Sequence, residues 1–474
     1  MAAPRRHVLM AQEFAAFRLG DVRGVYPSDI DEAFALGFGH AFAERFGLRG
    51  EIATGRDMRE SSPALQAALN DGLRQAGLDV VDLGLCTTEL GYFASTLGRF
   101  SATIVVTASH NPARYNGFKC VLTDGAAVTF ESGLNDVRDL MRSGFRRSGK
   151  VGTLADVDLH SEYVQFLESR FEIDALRARS IALNGLNGTA ATLAGSIATR
   201  FGLPVTWFRQ EPGPIPSEGA DPANPRLVAQ MQSFMSGGSF DLGVAWNGDC
   251  DRCVFYDGHG TLIPTYYVVG LLAETFLASN AGAAVVFDTK LQWNTLEIIE
   301  RLGGVAVPSE TGHAFMKRYM RKTGAIYGGE LSSHYYFGDF FGCDSGMFAW
   351  LKLVEILGDT RESLGDLVAG RREQFCCTPE ISLALTDVEA AFAAIDAHCA
   401  PSAVATSRFD GPSYDMPGDW RVSLRRSKTE PLVRVNFEAR GRPDVLLEEA
   451  QEVLRRLQPW LLEGTEWESR LRVQ

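Results

Sequence analysis

With 474 residues, 45% hydrophobic and 22% charged, and no low-complexity tract, the chain reads as globular. It is too long for one ordinary core, and length alone suggests about three or four domains. A net charge of −13 argues against nucleic acid as the main partner, while leaving room for a local basic phosphate pocket. The apolar stretch after Arg5 and Arg6 breaks at Gln12 and Glu13, too soon for a signal peptide. The longest apolar run, Tyr267 to Phe287, is interrupted by Glu274 and Asn280, so no membrane span is expected. The eight cysteines show no scaffold spacing, and the Cys250–Cys253 pair lacks a second pair for zinc. Free thiols in a reducing cytoplasm are the expectation.

In chain order, Phe17 to Val25 places Arg23 and Gly24 on a flexible turn. An amphipathic helix is expected over about 30–46, a strand over 52–54 and a helix over 63–76. A strand over 80–85 and a short helix from Thr88 follow. The β-branched run Ala102 to Val106 then completes a βαβαβ unit with a largely parallel sheet. This last strand stops in Thr107-Ala108-Ser109-His110-Asn111-Pro112. Ser109 should therefore lie outside the strand's carboxyl end, where open α/β sheets bind ligands. It offers a primary hydroxyl, His110 can donate or accept a proton, and Asn111 and Pro112 fix a tight turn. Tyr115-Asn116-Gly117-Phe118-Lys119 returns a lysine to the same neighbourhood.

A boundary is expected near 149–157, then a helix over 159–170 and a strand over 180–183. The glycines of Asn184-Gly185-Leu186-Asn187-Gly188 allow close backbone approach, although a plain strand-to-helix turn accounts for them. The Pro-rich segment 211–226 reads as an irregular loop. A strand over 240–246 opens into Asn247-Gly248-Asp249-Cys250-Asp251-Arg252, whose side chains could converge on one cation or form a solvated acidic turn. Magnesium favours a few hard oxygen ligands of this kind. A third α/β unit begins near 257–258 and carries the loop Glu310-Thr311-Gly312-His313 and the stretch Gly329-Glu330-Leu331-Ser332-Ser333-His334. Glutamate, serine and histidine on one loop can bracket a diol by hydrogen bonds. After Gly370 the pattern becomes that of a small α+β domain, with antiparallel strands and a final helix over 444–460. Its dense run Arg425-Arg426-Ser427-Lys428-Thr429, with Arg434, suits either a phosphate dianion or an exposed basic hairpin.

TASHNP followed by YNGFK resembles the active-serine loop of the α-D-phosphohexomutases, the phosphoglucomutase and phosphomannomutase superfamily. The stretch from Asn247 resembles that family's Asp-Gly-Asp-x-Asp-Arg metal loop, and Gly329 to His334 its sugar motif Gly-Glu-Met-Ser-x-His. Arg425 to Pro431 resembles its phosphate loop. The motifs occur in the family's order along essentially the whole chain. The resemblance implies three related α/β domains with mixed, mostly parallel sheets and a mobile C-terminal α+β domain, heart-shaped around a cleft. The boundaries expected are 1–155, 156–256, 257–372 and 373–474.

It further implies a phosphohexomutase that interconverts hexose 6-phosphate and hexose 1-phosphate, of mannose or glucose, through phosphorylated Ser109 and a hexose 1,6-bisphosphate. Magnesium would be held by Ser109, Asn247, Asp249 and Asp251. Arg23, His110, Lys119 and His313 would serve catalysis. Arg252, Lys290, Glu330, Ser332, His334, Arg425, Ser427, Lys428, Thr429 and Arg434 would bind substrate. A cytoplasmic monomer or weak dimer is expected. The chain departs from the family pattern at Gly20, where a tyrosine is usual, at Asn247, where the first metal-loop aspartate stands, at Leu331 and at Lys428. Gly20, Asn247 and Lys428 departing together keep one alternative in view, a catalytically weakened relative that binds hexose phosphates; a mutase for another sugar, such as an amino-hexose phosphate, is a second.

Overall fold

The β-branched run before the serine forms the strand Ala102–Val106, buried along its whole length. The computed structural model describes residues 15–144, 149–427 and 432–474. The chain divides into two units, one running to Ile263 and resuming over Ser333–Leu364, the other comprising Pro264–Ser332 and Gly365–Gln474.

In the first unit, six of the described strands make one sheet, in the order Val22–Val25, Tyr115–Leu122, Ala102–Val106, Glu51–Arg56, Asp79–Leu85, Leu154–Asp156. The last four run parallel. Tyr115–Leu122 runs antiparallel to both its neighbours, so the sheet is mixed at this edge. Gly117 is required there: a Cβ would meet the Val22 carbonyl oxygen at 1.9 Å. Its absence lets the edge strand close in, and sets Arg23 opposite Gly117, two residues from Lys119.

Helix Glu32–Arg45 starts at Asp31, whose carboxylate accepts from the Phe34 amide. Phe34, Phe38 and Phe42 recur every fourth residue and form one buried stripe. Phe38 stacks on Phe118 of the strand that carries Lys119, with ring centroids 4.8 Å apart. Each fully buried ring contributes roughly 1.5–3 kcal/mol, which pins this helix to the sheet behind the serine loop.

A second sheet has the order Leu262–Ile263, Cys253–Asp257, Leu242–Trp246, Ile181–Asn184, Val205–Phe208. Ile181–Asn184 is parallel to both its neighbours, and the 253–263 hairpin is antiparallel. The irregular loop expected over 211–226 ends earlier, because Asn224 caps a helix, Pro225–Ser236, with Pro225 in its first turn. The hairpin of His334–Phe337 with Cys343–Asp344 also belongs to this unit and leads into helix Gly346–Gly358.

Glu89, fully buried near the start of helix Thr88–Thr96, ties these parts together. Its carboxylate accepts from the Tyr163 hydroxyl at 2.9 Å, the Ser345 hydroxyl at 2.9 Å and the Met347 amide at 3.2 Å. Burial outweighs these donors and pushes its pKa up to about 7. The protonated form is therefore favoured in the folded chain. Its stabilising contribution is full below the ordinary carboxyl value and is lost as pH rises through about 7. Glu89→Gln, which carries no charge, should gain stability relative to the native protein between pH 5 and pH 8. Thermal unfolding at both pH values checks this; an equal offset at both would contradict it.

In the second unit, Ala284–Asp288 is flanked in parallel by Val305–Ser309 and Tyr327–Glu330. The C-terminal part is an antiparallel sheet of described strands in the order Phe375–Cys377, Val433–Arg440, Trp420–Arg426, Ser413–Met416, Ala405–Ser407, with Ile381–Leu383 also paired to Val433–Arg440. Helices Val388–Cys399 and Pro443–Leu457 supply Ile395, Leu446, Val453 and Leu457 to its core, the α+β arrangement expected. Among the described residues no disulfide forms among the eight buried cysteines, and no helix is long and apolar enough to cross a membrane.

Candidate active site

Ser109 sits one turn beyond its strand with a φ of 53°, a left-handed conformation costly for a residue with a Cβ, on the order of 1–3 kcal/mol. Its surroundings enforce that shape. The Thr107 hydroxyl donates to Asp57 Oδ2 at 2.7 Å and accepts from the Ser109 amide at 2.9 Å. Arg59, buried, donates to Asp57 and to the carbonyls of Ser109, Asn111, Pro112 and Tyr115, all at 2.7–3.0 Å. One guanidinium thus satisfies four carbonyls of the loop and fixes the nucleophile's backbone.

The metal-loop candidates converge on Ser109. Gly188 permits this packing, since a Cβ there would lie 2.7 Å from the Gly248 carbonyl, and Thr189 donates to that same carbonyl. Gly188 therefore does serve a close approach, to the neighbouring loop. Asp249 Oδ2 accepts from the Thr88 hydroxyl at 2.7 Å and from Lys119 Nζ at 2.7 Å, and Lys119 also pairs with Asp251. Burial opposes ionisation of Asp251, but Lys119, His334 and Arg252 together hold it well below the usual carboxylate range. Burial, reinforced by Asp251, pushes Asp249 upward. The two carboxylates hold Lys119 protonated despite its burial.

Asn247, expected as a metal ligand, presents its nitrogen rather than its oxygen. Nδ2 donates to Ser109 Oγ at 3.0 Å, Asp249 Oδ1 at 2.9 Å and Asp251 Oδ1 at 2.7 Å. Its Oδ1 is turned back to accept from the Arg252 amide at 3.0 Å. Three oxygens within 3.0 Å of one atom are a set that a small divalent ion could use, so Ser109, Asp249 and Asp251 fit magnesium.

Around this centre, Arg23 donates to Asn111 Oδ1 at 2.7 Å and pairs with Asp21 at 2.5 Å. His334 Nε2 lies 3.3 Å from Arg252 Nε and 3.4 Å from Asp251 Oδ2. One imidazole tautomer serves the first contact and the other the second. A ring nitrogen of His334 and carboxylate oxygens of Asp251 and Asp344 lie within 4.8 Å of one another. Burial, with Arg252 and Arg23 nearby, holds the His110 imidazole well below its ordinary pKa.

In the second unit, Arg425 and Arg434 face each other across paired strands. Glu380 binds Arg434 at 2.7 Å and Arg425 at 3.2 Å, with Lys290 Nζ at 3.9 Å. Burial raises the Glu380 pKa, but these three cations prevail and lower it to about 2. With Asp288 counted beside Glu380, three cations against two carboxylates still leave a positive excess suited to a phosphate. Lys290 also meets Asp288 at 3.2 Å, and Asp288 accepts from the Leu331 amide at 2.9 Å. Glu330 accepts from the Gly312 amide at 3.0 Å, which joins its loop to the start of helix His313–Thr323. Ser332 follows Glu330 on its loop, and Ser427 pairs its amide with the Leu432 carbonyl at 2.7 Å. Lys428 and Thr429 lie outside the described residues.

The structure thus gathers Arg23, Ser109, His110, Lys119, Asn247, Asp249, Asp251, Arg252 and His334 in the first unit. The second unit holds Lys290, Glu330, Ser332, His313, Arg425, Ser427 and Arg434. Sequence reasoning missed Asp57, Arg59, Thr88 and Glu380. Gly55-Arg56-Asp57 at the end of a strand was the one visible signal among these.

Three family models match: phosphoglucomutase/phosphomannomutase alpha/beta/alpha domain I over residues 15–143, domain II over 161–260 and domain III over 264–375. The chain is 38% identical to "Phosphohexose mutases" of Xanthomonas campestris pv. campestris, covering 92% of this chain and 98% of that one. It is 38% identical to a phosphomannomutase of Salmonella typhimurium, covering 93% and 97%. Among solved structures, a phosphoglucomutase/phosphomannomutase family protein of Burkholderia thailandensis superposes with a TM-score of 0.84 at 29% identity, covering 95% and 97%. The N-acetylphosphoglucosamine mutase of Aspergillus fumigatus, solved with GlcNAc-6P and magnesium, shares the fold at 12% identity and a TM-score of 0.58, covering 94% and 96%. With three domain models spanning most of the chain and relatives matched over nearly their full length, this protein belongs to the phosphoglucomutase/phosphomannomutase family of α-D-phosphohexomutases, as a hexose-phosphate mutase and intramolecular phosphotransferase.

Proposed function

We propose that the chain interconverts hexose 6-phosphate and hexose 1-phosphate, of mannose or glucose, through a phosphoryl group carried on Ser109 and a hexose 1,6-bisphosphate intermediate. The observation that carries this reading is the convergence of Ser109 Oγ, Asn247, Asp249, Asp251 and Lys119 in one buried network at the end of a parallel strand. Phosphoryl transfer is mostly positioning and charge neutralisation, and this network supplies both.

In the forward step the Ser109 Oγ–phosphorus bond breaks as a bond forms from a sugar hydroxyl oxygen to phosphorus. The hydroxyl proton passes to an imidazole, for which His110 beside Ser109 and His334 beside Asp251 are candidates. The electron pair of the broken bond stays on Ser109 Oγ, which takes up a proton as its hydroxyl is restored. Lys119, ion-paired with both aspartates, stabilises charge on the transferring group. Magnesium, held by Ser109, Asp249 and Asp251, would neutralise part of the phosphoryl charge when bound. Arg425, Arg434 and Lys290 would grip the non-reacting phosphate, and Glu330 and Ser332 the sugar hydroxyls. After the bisphosphate reorients, its other phosphoryl returns to Ser109. Cytoplasmic operation is part of this reading, supported by buried cysteines without disulfides.

The orientation of Asn247 favours one second reading, a relative that binds hexose phosphates but turns them over slowly. Turnover of mannose, glucose and glucosamine phosphates, with magnesium and a bisphosphate primer, separates the two. Primer-dependent turnover of mannose or glucose phosphate is the expected result. Binding without turnover would establish the second reading, and turnover of the amino sugar alone would reassign the substrate.

A further inference from the structure

We propose that Asn247 is a hydrogen-bond donor that positions Ser109 and the two aspartates, and is not a ligand of the divalent ion. This deepens the phosphoryl-transfer reading and rests on it for the identity of the nucleophile. Asparagine and aspartate differ at this position in the number of oxygens they present. The metal loop turns back on itself so that the backbone N–H of Arg252 points at the residue 247 side chain, and Asn247 Oδ1 accepts from it at 3.0 Å. An aspartate at this position has two equivalent oxygens, so one can hold the loop while the other faces the ion. Asparagine has a single oxygen, and the loop claims it.

The nitrogen must then face inward, and it finds three acceptors there: Ser109 Oγ, Asp249 Oδ1 and Asp251 Oδ1. Turning the amide over would set its oxygen against two carboxylates and its N–H groups against the Arg252 N–H. The flipped amide would keep only the Ser109 hydroxyl as a donor to its oxygen and would leave its N–H groups facing another N–H, at a residue that is fully buried. The inward amide also holds Ser109 Oγ in place, beside a Lys119 already shared by both aspartates. An arriving ion thus meets two carboxylates and a serine oxygen among which the two N–H groups of Asn247 are already shared. Its affinity should be set by that competition.

The test is direct binding of Mn2+ to the unphosphorylated protein, by calorimetry and by its electron paramagnetic resonance signal, without substrate. Asn247→Ala removes the donor and any ligand oxygen together. If Asn247 is a donor, this variant binds Mn2+ no more weakly than the native protein. Asn247→Asp adds a carboxylate oxygen and should tighten binding about tenfold or more. Weakening of Mn2+ binding by about tenfold in Asn247→Ala, or no tightening in Asn247→Asp, would overturn the proposal. Should either variant fail to fold, a crystal of the native protein soaked in Mn2+ decides the matter. An amide oxygen still bonded to the Arg252 N–H upholds the donor role, and an amide oxygen on the ion refutes it. Because these readouts need no turnover, an inactive protein with the predicted binding order would count against the phosphoryl-transfer reading alone.

Discussion

Ser109→Ala should reduce mutase turnover by at least about a thousandfold, in line with loss of the nucleophile in covalent mechanisms. The two threonine hydroxyls bonded into the site have other commitments among the described residues. The Thr107 hydroxyl is committed to Asp57 and to the Ser109 amide, and the Thr88 hydroxyl to Asp249. The loop should keep its shape, because Arg59 holds it through main-chain carbonyls that alanine also presents. The change should therefore cost no more than about 1–2 kcal/mol of stability, mainly the lost hydrogen bond from Asn247. A coupled assay and a thermal melt on the same preparation check both halves. Retention of more than about a tenth of the native turnover would contradict a covalent role for Ser109.

Lys119→Met should be the most destabilising single change at the site. The substitution keeps the apolar stem and removes a cation that both Asp249 and Asp251 share. Two buried carboxylates, 0% and 2% exposed at their side chains, would face each other without it. Removing one partner of a buried charge network typically costs about 3–5 kcal/mol. A divalent ion can replace part of the missing charge, so millimolar magnesium should recover some of the loss in Lys119→Met and do little for the native protein. Denaturant unfolding with and without magnesium measures this. A variant as stable as the native protein, or one that magnesium leaves unchanged, would show that the aspartates do not depend on Lys119.

Much of the first unit was legible in the sequence because buried parallel strands write themselves as β-branched runs, and Ala102–Val106 is one. The short helix expected from Thr88 is found as Thr88–Thr96, capped by the Thr87 hydroxyl, which accepts from the Leu90 amide. Helix Pro225–Ser236 carries the same signal in Asn224 and Pro225, but a preceding Pro-rich stretch reads as continuous with it. The strand Tyr115–Leu122 hid behind the motif it contains: YNGFK draws attention to a lysine, while Gly117 and Asn116 lower the apparent strand propensity. The charges that the fold pairs across distant segments were not legible. Arg59, Glu89 and Glu380 look like solvated residues until chain segments tens to hundreds of positions away close around them. Residue 247 was legible as a departure from the motif, but its consequence depends on where the Arg252 N–H points, which only the folded loop reveals.

The central claim is that Ser109 carries the phosphoryl group. Incubating the protein with glucose 1,6-bisphosphate and magnesium, then mapping phosphopeptides by mass spectrometry, addresses it without reliance on a coupled assay. Phosphate on the peptide that contains Ser109, absent from the Ser109→Ala variant, is the result predicted. Phosphate on a histidine or on another serine, or full turnover with no covalent label at all, would contradict it.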